Sequence, residues 1–437
     1  MYSLSKLPRG QTAALKTAFK RAASNKAASA GGVNVIGFEN KGPAATSSLT
    51  VAIKAGSRYE TTPGVAHVLK NFAFKATSSA SSLRTARETE LYGGVLSAAL
   101  TREHLFLSAE FLRGDEEHFL SVLASVLSSS HFYSHELKEL VLPVVQSEAI
   151  SAQTSPSTFA LDVAHNLAFR KGLGNSLFAS PHYPVTIDDV KTFAQSAFAK
   201  SNVAVIGSGI STEALSQAVS SAFGAGSSAP GSGLNTPSTT YYGGEVRVPL
   251  DIHAPPSSTP TMVIAYGSAS PATPELKVLK QLLGGESSLK WTPGTSPLAQ
   301  AADKIPGASA KAILLPYSDA ALFGVVLNAP TSPQLKQLAQ EVVSVLKAAG
   351  QGAKDEEVKR AIAKATFADA TASETLEGLV ASAGPALFAG GEVKSENFSS
   401  VSASSVSKAA AELLKGKPTI VSVGNVAVLP YADELGL

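Results

Sequence analysis

AGSRYETTPGVAHVLKNFAFKAT, residues 55–77, is the most informative stretch of this chain. It follows a strand-like segment at 48–55 (SLTVAIKA), and helical period takes over at 64–74. Working outward, a hairpin pattern runs from 94–100 through Arg102 into 105–111. An amphipathic helix at 115–127 follows, with Asp115 as its expected N-cap, and a β-branched run at 202–207 (NVAVIG) closes the series. The same order recurs downstream: MVIAYG at 262–267, a helix at 274–283, strands at 312–315 and 321–327, a helix at 332–349 expected to be capped by Ser332, and PTIVSVG at 418–424. Between the two series lies GAGSSAPGSGLNTP, residues 224–237, which reads as a flexible linker because Gly, Ser and Pro cannot build a core. The expected fold class is α+β: one unit used twice, each copy a mixed β-sheet packed with helices. Strands and helices without strict alternation argue against a doubly wound parallel sheet. The divisions expected are a leader at 1–30, a first domain at 31–223, a linker at 224–240 and a second domain at 241–437.

Composition narrows the chemistry. The 437 residues are 44% hydrophobic and 16% charged, enough apolar matter for sizeable cores under a weakly charged surface. There is no cysteine, which excludes disulfides, thiolate metal sites, cysteine-bound iron–sulfur clusters and a cysteine nucleophile. A net charge of +2 makes no electrostatic case for nucleic acid. No apolar run approaches the ~20 residues of a membrane span, so membrane association is expected only through partners. Residues 1–38 hold Lys6, Arg9, Lys16, Lys20, Arg21 and Lys26 and no acidic residue. Leu15, Ala18, Phe19 and Ala22 share one helical face there, the pattern of a mitochondrial transit peptide. The rest of the chain is therefore mildly acidic.

Three local patterns weigh less. Gly207-Ser-Gly209 follows a strand and precedes a helix, but Thr212 stands where a dinucleotide fingerprint needs its third glycine. His131 and His135 have the i, i+4 spacing of two metal ligands. Ser134, however, reads as the N-cap of a helix running to about Glu148, which puts His131 before the helix and His135 in its first turn, a surface role. No Gly-x-Ser-x-Gly elbow occurs.

Residues 55–77 resemble the pitrilysin-type metallopeptidases, a family that includes the mitochondrial processing peptidase and the core proteins of the respiratory cytochrome bc1 complex. RETELYGG at 87–94, AHNLAFRKGLGNSL at 164–177 and the tail KPTIVSVGNVAVLPYADEL extend the resemblance over nearly all of the first half and, less strongly, into the second. Active members carry His-x-x-Glu-His on a helix and a distant second glutamate; the histidines and that glutamate bind zinc, and the first glutamate activates water. The matching positions here are His67, Lys70, Asn71 and Glu148. Zinc hydrolysis needs three protein ligands, a bound water and a base. His67 and Glu148 supply two ligands at most, Asn71 a weak one, and Lys70 a positive charge beside a 2+ ion. The resemblance thus implies no catalytic residue, no metal and no cofactor, with His67 a partly buried helix residue. It also places Lys70 near Glu148, where opposite charges would take over the metal's bridging role.

Within the family the chain is most similar to the core-protein branch. The degenerate motif points there, as does LGGESSLKWTPGTSPL at 283–298, and the glycine-rich substrate loop of the processing peptidase's non-catalytic subunit is missing. The resemblance implies a matrix-facing subunit at the mitochondrial inner membrane, in a dimeric complex. Its partners would be core protein 1, cytochrome b, cytochrome c1 and the Rieske protein. The alternative is the substrate-binding subunit of a processing peptidase.

Overall fold

A computed structural model describes residues 25–39, 45–224, 234, 236, 238–250, 258–285, 294–389, 392–393 and 396–437. The leader up to residue 24 and most of the linker lie outside them.

The first half is built from β1 (Asn25–Lys26), β2 (Ala28–Ala30), β3 (Val33–Phe38), β4 (Thr46–Ile53), α1 (Val65–Asn71), α2 (Ser82–Leu91), β5 (Val95–Leu100), β6 (Leu105–Leu112), α3 (Glu116–Ser129), α4 (Leu142–Thr154), α5 (Pro156–Phe169), α6 (Ile187–Ala197), β7 (Val203–Ser208) and α7 (Thr212–Gly224). The second comprises β8 (Gly244–Pro249), β9 (Thr261–Ser268), α8 (Pro274–Leu283), α9 (Pro297–Asp303), β10 (Ser309–Pro316), β11 (Ala321–Asn328), α10 (Ser332–Gln351), α11 (Asp355–Glu374), α12 (Leu376–Ala389), β12 (Glu392–Val393), α13 (Ala403–Leu414) and β13 (Thr419–Gly424). The first sheet has the order β2-β3-β7-β4-β6-β5 and the second β8-β13-β9-β11-β10. The pairings correspond strand for strand. β3 and β7 run parallel, as do β8 and β13, and every other pair in the shared five is antiparallel. Val51 opposite Val205 in the first sheet answers Val263 opposite Val421 in the second. The repeat expected from the sequence is therefore present in topology as well as in element order.

Side chains of a strand alternate between faces, so each sheet has two faces to cover. Val35, Val51, Leu107 and Val205 meet α1, α3, α6 and α7 of their own half. Ile36, Ala52, Phe106 and Ile206 point the other way and meet Val380, Ala383 and Leu387 of α12, which belongs to the second half. The second sheet reverses the loan. Its own helices cover Met262 and Ile264, while Val263, Ala265, Val421 and Val423 lie under Ala160, Ala164 and Ala168 of α5 from the first half. The three alanines, spaced i, i+4, i+8 and all fully buried, let α5 sit close on the strands. At the end of α12, Phe388 stacks on His104 at 5.4 Å with Lys54 Nζ 4.9 Å above its ring. Burial of aliphatic side chains such as Val380 and Leu387 stabilises by roughly 1.5–3 kcal/mol each before entropy is counted.

The joint between the halves is polar where it meets the loops. Arg58, 3% exposed, forks onto Asp319 with Nη1–Oδ1 and Nη2–Oδ2 both at 2.7 Å, and reaches Glu103 at 2.7 Å. Thr239 and Ser318 accept further bonds from it at 3.1 Å, and Glu103 accepts from the Ser318 hydroxyl at 2.6 Å. His165 donates from Nδ1 to the Leu161 carbonyl at 2.6 Å and accepts the Tyr317 hydroxyl on Nε2 at 2.7 Å.

Several expectations shift. Strands β1 and β2 occupy residues 25–30, inside the segment assigned to the leader. β2 is the edge of the first sheet, and β1 pairs with β12 of the second half. Ser332 is the first helical residue rather than the cap. Thr331 holds the cap position, and the Ser332 hydroxyl instead accepts the Asn425 N–H at 3.0 Å. Ser134 likewise starts its turn of helix, because the Tyr133 carbonyl takes the first bond, from Leu137 N–H. A π-helical turn, Leu137–Val141, then leads into α4. Asp115 is the cap of α3, but its side chain caps nothing; Glu116 accepts the Gly114 N–H instead. No helix among the described residues is long and apolar enough to cross a membrane.

Candidate functional site

Helix α1 begins at Gly64, whose φ of 85° is left-handed and whose missing side chain leaves room for Ala179; a Cβ there would lie 2.6 Å from it. Glu60 closes the helix start by accepting the N–H groups of Gly64 and Ala66, each at 3.1 Å. This fixes a seven-residue helix whose apolar face is core. The same helix carries His67, Lys70 and Asn71 toward Glu148 on α4.

The four residues converge. His67 is 2% exposed, so it is fully buried rather than partly buried as expected. Its Nδ1 accepts the Ala179 N–H at 3.1 Å, and therefore Nε2 carries the proton and donates to Glu148 Oε2 at 2.6 Å. Phe178 packs edge-on to the ring at 5.6 Å. Lys70 Nζ lies 2.7 Å from both Glu148 oxygens, and Asn71 Nδ2 donates to Oε2 at 3.1 Å and to the His67 carbonyl at 3.2 Å. Burial alone would raise the Glu148 carboxyl; the bonds from Lys70, Asn71 and His67 outweigh it and hold the group down at about 2. Burial lowers His67, and Glu148 only partly opposes that. The arrangement is a neutral imidazole and an ammonium on one carboxylate.

This donor set does not fit the zinc that the fold family implies. A metal site needs lone pairs converging on one point. Here each nitrogen facing Glu148 presents a hydrogen, the His67 lone pair is spent on Ala179, and Lys70 holds a cation against both oxygens of the carboxylate a divalent ion would need. The position of the catalytic base holds that same ammonium, bonded to both oxygens. No hydrolytic step can be built on these groups.

The other patterns resolve without chemistry. His131 and His135 are exposed and flank the Tyr133 ring at 5.1 and 5.3 Å. Thr212, in place of the third glycine, exchanges bonds with the backbone of Gly37 at 3.0 and 3.1 Å. A Cβ on Gly37 would come within 2.6 Å of the backbone of Ile210 and Thr212, and one on Gly207 within 2.7 Å of Leu215, so these glycines bring the turn and α7 close to the sheet. Sequence reading missed Arg58, Glu103 and Asp319, together with Arg102, which binds Asp162 at 2.6 Å. Arg58 stands inside the diagnostic 55–77 stretch, yet its partner Asp319 is 261 residues away, and no local spacing announces such a pair.

Residues 35–180 match the family model described as Insulinase (Peptidase family M16), and residues 184–365 match the one described as Peptidase M16 inactive domain. A Cryptococcus neoformans protein named Cytochrome b-c1 complex subunit 2, mitochondrial, is 74% identical over the whole of both chains. Proteins of the same name from Yarrowia lipolytica and Mus musculus are 39% and 27% identical, covering 93% and 92% of this chain and 96% and 90% of theirs. The repeated sheet, the two family models and these full-length likenesses agree, and the chain belongs to peptidase family M16.

Proposed function

We propose that this chain is the second core subunit of mitochondrial ubiquinol–cytochrome c reductase and acts as a non-catalytic structural component of it. The observation that carries the reading is the closed His67–Lys70–Asn71–Glu148 cluster, in which an M16 active site has become an internal tie. The mitochondrial b-c1 relatives supply the assembly. In this reading the chain faces the matrix and pairs with core protein 1. It packs against a complex whose haem and iron–sulfur chemistry belongs to cytochrome b, cytochrome c1 and the Rieske protein. The lent helices α5 and α12 and the Arg58 fork would let the two halves bear load as one body. The basic segment at 1–30 would direct import.

Native gel separation of detergent-solubilised mitochondria tests this. The chain should co-migrate with haem b and c absorbance, and its loss should reduce assembled complex. Migration as a small haem-free heterodimer would instead make it the substrate-binding subunit of a processing peptidase.

A further inference from the structure

We propose that Lys70 replaces the divalent cation of an M16 site in its mechanical role: its ammonium fastens α4 to α1, and the hydrogen bonds around it are oriented so as to refuse a metal. Three observations carry this. Lys70 Nζ is equidistant from the two Glu148 oxygens at 2.7 Å, the position of a bridging cation rather than of a loosely paired surface lysine, and its side chain is only 15% exposed. His67 Nε2 and Asn71 Nδ2 both donate to Oε2, so that oxygen takes hydrogens from three side chains of one helix while Oε1 takes one from Lys70. The outer bond of His67 is reversed as well. A metal-bound histidine keeps its second ring nitrogen as a donor to a carbonyl or carboxylate. Here Nδ1 accepts from the Ala179 N–H, so Nε2 could take a metal only by losing that contact or becoming an imidazolate. The tie is permanent and independent of metal supply, as suits a part that must stay rigid. This inference deepens the non-catalytic reading above, which rests on the same cluster; the metal and melting measurements below test the cluster, whereas co-migration with haem tests the assembly.

The test is thermal unfolding of the full chain, together with zinc analysis. After dialysis against zinc chloride and then buffer, wild type should retain far less than one zinc per chain. Neither EDTA nor added zinc should move its melting temperature. Lys70→Met should lower the melting temperature of the full chain by about 1–3 °C for the loss of a charged hydrogen-bond pair partly screened by water, and zinc should not restore it. Lys70→Met with Glu148→Gln should recover part of the loss, because the neutral amide leaves no stranded charge while its carbonyl oxygen still accepts from His67 and Asn71. Retention of one zinc per chain, or a lower wild-type melting temperature in EDTA, would overturn the proposal. So would an unchanged melting temperature in Lys70→Met. Should that variant fail to fold, the wild-type metal measurements still decide.

Discussion

Replacing Arg58 by Met isolates the joint between the halves. The guanidinium is 3% exposed and holds Asp319 by two parallel bonds and Glu103 by a third, all at 2.7 Å. Glu103 is itself buried, at 7% exposed, so the substitution strands a carboxylate that keeps only its bonds to Ser318. Breaking a buried pair from one side costs about 3–5 kcal/mol, most of it the penalty of the uncompensated charge. Asp319, at 36% exposed, is screened by water and adds little to that figure. The conversion to temperature depends on what unfolds together. With an unfolding entropy of about 2.1 cal/mol/K per residue, a chain of this length melting as one unit moves by ~3–6 °C, whereas a half of about 200 residues melting alone would move by ~7–12 °C. Scanning calorimetry on the full chain should give a single transition lowered by the smaller amount. Arg58→Lys should fall between, since an ammonium keeps the charge but loses the fork. A shift below about 1 °C, or two transitions of which one stays put, would refute the claim that this cluster couples the halves.

Other outcomes follow from single sites. Burial lowers His165 to about 3 and His104 to about 4, so both are neutral in the fold and protonate more readily when unfolded. Their contribution is complete above about pH 6.5 and is lost as pH falls toward 4, at up to ~1.4 kcal/mol per pH unit for each. The share of stability held by the two rings should be constant above neutrality and drop below it, and His165→Gln should shallow the acid-side slope relative to wild type; an unchanged slope would show the ring is not held neutral. Ala164→Leu inserts three carbons where α5 meets β9 and β13, and should destabilise by about 1–3 kcal/mol in urea titration, with no cost expected if α5 stood clear of the second sheet. Gly37→Ala drives a methyl into the backbone of Ile210 and Thr212 and should cost at least ~2 kcal/mol, measurable in the same titration. A neutral result there would contradict the close approach of that turn to β3.

The parts legible in the sequence are those whose physics is local. Segments 48–55, 202–207, 262–267 and 418–424 are strands because β-branched runs of strand length announce themselves, and their observed bounds differ by one or two residues. The cluster at His67 was legible because motif spacing survives even when its chemistry does not. The exchange of α5 and α12 was not. Ala160, Ala164 and Ala168 mark an apolar stripe, but a stripe says only that something covers it, not which sheet. Arg58 was hidden for the same reason, its partner being fixed by topology. The caps lie one residue before Ser134 and Ser332, because a serine beside a helix start can accept from other donors, in the second case the Asn425 N–H. Residues 25–30 looked like leader on composition, yet β1 and β2 need only backbone bonds to join their partners.

The lent helices also set an order of events during synthesis. The first sheet is complete once β7 has emerged, but Ile36, Ala52, Phe106 and Ile206 stay uncovered until α12 follows some 170 residues later. The bond from Asn34 Nδ2 to the Leu387 carbonyl spans 353 positions, so part of the fold's closure waits for nearly the last of the chain. Contacts of such separation slow folding and leave an apolar face open to chaperones in the meantime. A chain that stops before α12 cannot conceal that face. An incomplete copy is therefore marked for recognition by the same surface that a complete copy buries.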